Sequence, residues 1–140
     1  MAFRDHQKIQ FGDIDYAGIV YYPRFLHYLH VALEEFFGSE VGIDYPTVLK
    51  KYRIGFPTVH HELDFFTPLR YGDQIDVEIE VIEIGNASIT WGYKVYLSGD
   101  EEILAVQAEN ITATINMDTF EKTDTPHWLK EKLEKYQQRM

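Results

Sequence analysis

The chain has 140 residues, 45% apolar and 26% charged, which fits a single globular domain able to bury a core. Its net charge of −10 argues against nucleic acid or an anionic membrane as the main partner. The lack of cysteine excludes disulfides, thiolate nucleophiles and Cys-ligated metals. No signal-peptide core opens the chain and no apolar run approaches the length of a membrane span, so the cytoplasm is the expected compartment. Without repeats, low-complexity tracts or linkers, residues 1–140 read as one domain.

In chain order, Gln7 to Phe11 reads as a short strand. Gly12 to Gly18 follows as a tight loop carrying two carboxylates, Asp13 and Asp15. Pro23 then opens a helix, since the first helical position needs no N–H. Phe25, Leu26, Leu29, Ala32, Leu33, Phe36 and Phe37 share one arc of that helix, with Arg24, His27, His30, Glu34 and Glu35 opposite. Gly38 is the expected stop. So wide an apolar arc needs a broad cover, such as a sheet.

Tyr45-Pro46 begins a second, shorter helix with Asp44 as its cap and Val48, Leu49 and Tyr52 facing inward. From Thr58 the period becomes two. Val59, His61, Leu63 and Phe65 alternate with His60, Glu62, Asp64 and Phe66. A turn at Arg70 to Asp73 leads to the cleanest strand, with Ile75, Val77, Ile79 and Val81 against Asp76, Glu78 and Glu80. The apolar series then slips at Ile82 and Ile84, predicting a bulge near Val81-Ile82. Gly85-Asn86 turns into the strand of Ile89, Trp91, Tyr93, Val95 and Leu97, and Ser98-Gly99-Asp100 turns again. Leu104 to Met117 makes a last long strand with a slip near Glu109-Asn110. Thr125-Pro126 caps a C-terminal helix with Leu129, Leu133 and Tyr136 as its apolar stripe. Four consecutive strands joined by short turns, wrapped on a long helix, give an antiparallel α+β arrangement.

The stretch from Phe11 to Pro23, with its Asp-x-Asp-x-Ala-Gly loop running into a helix-opening proline, resembles the signature of the 4-hydroxybenzoyl-CoA thioesterase family. The order of elements agrees over nearly the whole chain. The resemblance implies a hotdog fold, a homodimer with a continuous sheet that often pairs into a homotetramer, and active sites at the subunit interface. It also implies hydrolysis of an acyl-CoA or aroyl-CoA thioester. It places the catalytic carboxylate on Asp15 and the thioester-oxygen donor on the backbone amide of Tyr22, since Pro23 has no N–H to give. Substrate contacts fall on Gly18, Tyr21, Pro23 and Ser88. Coenzyme A enters as part of the substrate, and no separate cofactor is implied.

One departure stands out. The turn Gly85-Asn86-Ala87-Ser88 lacks the Arg and Lys cluster expected of the 4-hydroxybenzoyl-specific enzymes, which leaves Arg70 or Lys94 to meet the nucleotide phosphates. The chemistry itself asks little of the protein. A thiol of pKa about 8.5 leaves readily, so a carboxylate that attacks or activates water, plus a donor to the oxyanion, is the minimum.

Plainer readings accompany each residue. Asp13 reads as structural, and His27 and His30 as surface or interface residues. His60 and His61 face opposite ways on one strand with no further ligands evident, so no metal is expected. A hydratase or dehydratase would pair a His with a carboxylate across the site, and this loop offers none. A non-catalytic acyl-CoA-binding module is the alternative outside catalysis.

Overall fold

A computed structural model describes residues 2–99 and 101–140 of the chain. Five strands form one antiparallel sheet in the order β1-β4-β5-β6-β3. They are β1 (Phe3–Lys8), β3 (Thr58–Phe65), β4 (Gln74–Ile84), β5 (Ser88–Leu97) and β6 (Ile103–Ala113). Helix α1 (Arg24–Phe36) lies on one face of the sheet, followed by the short α2 (Tyr45–Lys50), and α3 (His127–Arg139) closes the described chain. A two-stranded ribbon of β2 (Ile54–Gly55) and β7 (Ile115–Asn116) sits apart.

The core forms where α1 meets the sheet. Phe36 is fully buried, and its ring meets those of Phe3, Phe37, Trp91 and Tyr136 edge-on with centroids 4.8–6.3 Å apart. Opposite it come Ile75, Val77, Ile79 and Val81 of β4 and Ile89, Trp91, Tyr93 and Val95 of β5, all buried. The alternation of β4 and β5 therefore places its apolar half against α1, as period two requires. Asp76, Glu78 and Glu80 fall on the outer face, where Arg4 pairs with Glu78 and His6 with Asp76.

Four details differ from the sequence reading. First, α1 does not stop at Gly38. The chain widens into a π turn, Phe37–Val41, which buries both Phe37 and Val41, and it ends at Gly42 with φ +85°. The Gly42 amide reaches back to the Phe37 carbonyl at 2.9 Å. Only glycine takes that left-handed conformation without penalty. Second, β3 and β4 are consecutive in the chain but not neighbours. β3 pairs with β6 at the far edge, so residues 66–73 cross the end of the sheet to reach β4.

Third, β6 and β7 are separate, because Thr114 breaks the run and Ile115–Asn116 pairs with β2. The β6 irregularity lies at Ala105 rather than Glu109-Asn110, as Val95 pairs Val106 while Tyr96 pairs Leu104. The inward positions of β6 are therefore Val106, Ala108, Asn110 and Thr112, and the last two are polar. Fourth, Tyr52 is 40% exposed and lies against the Trp128 ring rather than in the core.

The first strand is also displaced, lying at Phe3–Lys8 rather than Gln7 to Phe11, with Phe11–Asp13 wound into a 3₁₀ turn, and α3 has Pro126 at its N-cap, without a side-chain cap from Thr125. Three other readings agree with the structure. The β4 bulge falls between Val81 and Glu83. Asp44 caps α2 by accepting from the Thr47 amide at 2.8 Å. Leu129, Leu133 and Tyr136 are buried. Asp100, placed in a turn from sequence, lies outside the described residues. Helix α3 also finishes what β1 leaves open. β1 pairs β4 only as far as Ile79, and beyond it Tyr136 Oη donates to the Ile79 carbonyl while Gln137 Nε2 donates to those of Val81 and Ile82. Those donors satisfy a stretch of strand edge that would otherwise stand unpaired. No helix among the described residues is long and apolar enough to cross a membrane.

Candidate active site

The loop between β1 and α1 is built by backbone hydrogen bonds. Asp15-Tyr16-Ala17-Gly18 is a turn closed by the Gly18 amide on the Asp15 carbonyl at 3.0 Å, with Gly18 at φ +82°. The Asp15 amide then meets the Ile19 carbonyl, and the Tyr21 amide meets the Asp13 carbonyl, both at 2.9 Å. This small hairpin is tied to the crossing segment by Val20 N–H to Leu69 O at 2.8 Å and Ile9 N–H to Asp73 O at 2.9 Å.

The two carboxylates meet opposite environments. Asp13 is buried, at 3% exposure. Its Oδ1 accepts from Arg24 Nη2 at 2.7 Å and Nε at 3.1 Å, and its Oδ2 accepts from the Gln10 amide at 2.9 Å. Burial alone would raise the Asp13 pKa. The neighbouring Tyr28 hydroxyl, the Gln10 amide and the Arg24 guanidinium outweigh it and hold the group below the usual carboxylate range. Burial and the same carboxylate push the Tyr28 phenol up. Asp13 thus reads as the anchor of the loop. Asp15 is exposed, and its Oδ1 accepts from the Ala17 amide at 2.8 Å. Its Oδ2 accepts no hydrogen bond among the described residues. One carboxylate oxygen of the signature is therefore available for chemistry.

The start of α1 supplies a donor. Pro23 occupies the N-cap, and the Arg24 and Phe25 amides turn back to the Tyr21 and Tyr22 carbonyls at 2.8 and 3.2 Å. The Tyr21 amide is already spent on Asp13, and Pro23 has none. The Tyr22 amide is left without an acceptor among the described residues. It lies at a helix N-terminus, where the backbone dipoles favour negative charge. The Tyr22 side chain is 67% exposed, so it adds contact area rather than structure.

An apolar trough runs from this point between α1 and β3. Its outer end is a cavity of about 380 Å³ lined by Tyr22, Pro23, Leu26, His61, Leu63 and Phe65. Leu26, assigned from sequence to the buried arc, is 46% exposed because it forms this wall. A recess of about 290 Å³ beside it runs from Ile19 and Tyr22 to Phe65 and Leu69. An inner cavity of about 250 Å³ continues under α1, with Leu29, Leu33 and Phe56 on its walls.

The remaining candidates divide. Tyr21 and Pro23 stand beside the Tyr22 amide, and Gly18 ends the Asp15 turn. Ser88 does not join them within one chain. It begins β5, whereas the Asp loop sits at the Leu97 end, some nine residues or about 30 Å away along the strand. Arg70 is exposed on the crossing segment, next to the Leu69 that binds Val20. Lys94 faces outward on β5 opposite Glu78, on the side of the sheet away from α1. No group of three or more metal-ligating side chains is gathered among the described residues. Sequence reasoning passed over His61 and Asn110 as site residues. The alternation of β3 had already put His61 with the apolar half of that strand, while the slip placed at Glu109-Asn110 turned Asn110 outward.

Comparison with known proteins bears on this geometry. The family model for the thioesterase-like superfamily matches residues 9–133. A 1,4-dihydroxy-2-naphthoyl-CoA hydrolase of Rippkaea orientalis is 30% identical over 128 residues, covering 89% of this chain and 92% of its own. The structure of a 1,4-dihydroxy-2-naphthoyl-CoA thioesterase from Synechocystis is similar at a TM-score of 0.84 and 22% identity, covering 95% of this chain and 96% of the other. A Staphylococcus aureus protein solved in complex with CoA is similar at a TM-score of 0.87 and 14% identity, covering 99% and 85%. These two structural likenesses speak to the fold.

Proposed function

The chain belongs to the thioesterase-like superfamily with the hotdog fold, and on that footing we propose that it hydrolyses a small acyl-CoA or aroyl-CoA thioester through Asp15 and the Tyr22 amide. The observation that carries the assignment of residues is the unspent Tyr22 N–H at the rim of an apolar trough. A thioester carbonyl set there receives a hydrogen bond that strengthens as its oxygen becomes an oxyanion. The acyl group lies along α1 in the trough. The Asp15 carboxylate, one oxygen free, attacks the carbonyl carbon or takes a proton from the attacking water. The oxyanion then collapses, the bond to sulfur breaks and the thiolate of coenzyme A leaves, giving the free acid directly where water attacked, or an acyl anhydride on Asp15 that a water molecule then hydrolyses to the acid and the carboxylate. Arg70, exposed on the crossing segment, is the cation proposed to meet the coenzyme A phosphates, since Lys94 lies on the far face of the sheet.

The naphthoyl-CoA relatives favour the aroyl side of this class. 4-Hydroxybenzoyl-CoA stands as one such substrate, though without the cationic turn of its dedicated hydrolases. The working unit is proposed to be at least a homodimer. β3 is an outer strand with Val59, Phe65 and, just past it, Phe66 exposed, which invites pairing with a second copy. Only from such a copy would Ser88 reach the Asp15 loop.

The test is thioester hydrolysis by wild type and Asp15→Asn over a panel of short, long and aromatic acyl-CoAs. The variant is expected to keep its far-ultraviolet circular dichroism and lose at least ~100-fold in kcat on whichever substrate wild type prefers. An Asp15→Asn enzyme with near-normal kcat refutes the role given to Asp15. A wild type that binds acyl-CoA without turnover points to a binding module instead.

A further inference from the structure

The peptide joining Tyr21 to Tyr22 sits inside a ring of contacts made by Arg24 and Asp13. Its carbonyl, that of Tyr21, accepts from the Arg24 amide at 2.8 Å. A trans peptide is planar, so fixing that carbonyl also fixes the direction of the Tyr22 N–H on the opposite side. Just before it in the chain, the Tyr21 amide donates to the Asp13 carbonyl at 2.9 Å. The Arg24 side chain closes the ring, with Nε and Nη2 both reaching Asp13 Oδ1, at 3.1 and 2.7 Å. Arg24 and Asp13 thus hold neighbouring peptides through their main chains and each other through their side chains.

Asp13 also carries the carboxylate hairpin. The chain from it to Asp15 is pinned by the bridge of Ile14 to Val20 and by the Asp15 amide on the Ile19 carbonyl at 2.9 Å. On its other side, Asp13 Oδ2 accepts the Gln10 amide and the Asp13 amide returns to the Gln10 carbonyl at 3.0 Å, which joins the ring to the chain leaving β1. The Tyr28 hydroxyl, one turn further along α1, is buried beside the same carboxylate with no other partner among the described residues. Locally, neither charge is favourable. A cation in the first turn of a helix opposes the macrodipole, and no acid stands in that turn. A buried carboxylate is costly unless it is paired. Together they tie the Asp15 hairpin to the mouth of α1.

Resting on the thioesterase reading above, we propose that Arg24 and Asp13 are a positioning pair that fixes the direction of the Tyr22 N–H relative to the Asp15 carboxylate, and so sets the rate of the chemical step rather than the affinity for substrate. Both act through the backbone, without contact to the thioester. An N–H donor weakens steeply as it turns off line, and a misplacement of about 1 Å at the reacting atoms costs up to about 100-fold in rate.

The experiment measures kcat and KM of wild type, Arg24→Ala, Arg24→Lys, Asp13→Asn and the Asp13→Asn, Arg24→Ala double variant on the acyl-CoA that wild type cleaves fastest. Each is assayed well below its own melting temperature. Arg24→Ala is expected to lower kcat by about 10- to 100-fold with KM within about threefold, and Asp13→Asn by a similar factor. Arg24→Lys should recover part of the loss, since an ammonium supplies the charge without the two-point grip. The double variant should lose no more than the worse single one, as members of one unit do. Arg24 is partly exposed, so the space it leaves is open to added guanidinium. Guanidinium chloride at about 50 mM, far below its denaturing range, should raise the kcat of Arg24→Ala by about threefold or more. Sucrose, which stabilises folded proteins in general, should not. An unchanged kcat, a loss confined to KM, a loss that sucrose reverses or guanidinium leaves unmoved, or losses that add in the double variant overturns the proposal while leaving hydrolysis itself standing. A wild type that cleaves no acyl-CoA overturns the thioesterase reading with it.

Discussion

Removing Arg24 should expose how much the loop depends on a buried charge. Asp13 is 3% exposed, and Arg24 Nη2 lies 2.7 Å from it. Deleting one partner of a fully buried pair costs about 3–5 kcal/mol. The Arg24 side chain is 44% exposed and the Gln10 amide would remain, so solvent and that bond reduce the expected loss to about 2 kcal/mol at pH 7. For a domain of this size that is a fall in Tm of roughly 6–8 °C.

The pH dependence gives the sharper test. The folded Asp13 pKa lies below its unfolded value, so its ionised contacts stabilise the fold above about pH 4, and that contribution is lost as pH falls through the folded pKa. In Arg24→Ala, burial acts with less opposition and the folded pKa moves up. The deficit relative to wild type should therefore be full at neutral pH and shrink below about pH 4. Urea denaturation of both proteins at pH 7 and pH 3.5, at one fixed protein concentration, measures it. An equal deficit at both values, or none at pH 7, would show that Asp13 is not held ionised by Arg24.

Two further outcomes follow from the same structure. Because the proposed oxyanion donor is the backbone of Tyr22, Tyr22→Ala should keep kcat within about tenfold and act mainly on KM; a loss as large as that of Asp15→Asn would move the role to the side chain. Gly42→Ala should lower stability by about 1 kcal/mol by thermal melt, from backbone strain alone, since nothing lies within 4 Å of where its Cβ would stand. An unchanged melting temperature would contradict the strain.

What could be read from the residues was set by how local each signal is. The helix face apart from Leu26, the β4 bulge and the cap at Asp44 depend on neighbours a few positions away, and all three are observed. The turn carrying Asp15 was likewise legible, because it closes within four residues. The failures were non-local. Nothing near Thr67 announces that β3 will pair with β6 rather than β4, since the choice depends on strands not yet encountered along the chain. The polar half of β6 was lost for a related reason. A slip placed at Glu109-Asn110 to keep the later apolar residues in series turned Ile111 inward and Asn110 outward, whereas the pairing runs unbroken from Val106 to Ala113. The end of α1 moved because Phe37 and Val41 both gain burial from a widened turn, a tertiary effect that outweighed the signal of Gly38.

The passage of residues 66–73 across the end of the sheet has a mechanical consequence. It leaves the outermost strand by Phe66 N–H to Ala105 O, receives Val20 on Leu69, and exchanges hydrogen bonds with Ile9 before entering β4. It thus works as a tie-rod from one border of the sheet to the other, with the Asp15 hairpin bolted to its middle. A load applied to β3, such as docking or release of a neighbouring copy, would be felt at Asp15 without any rearrangement of the core.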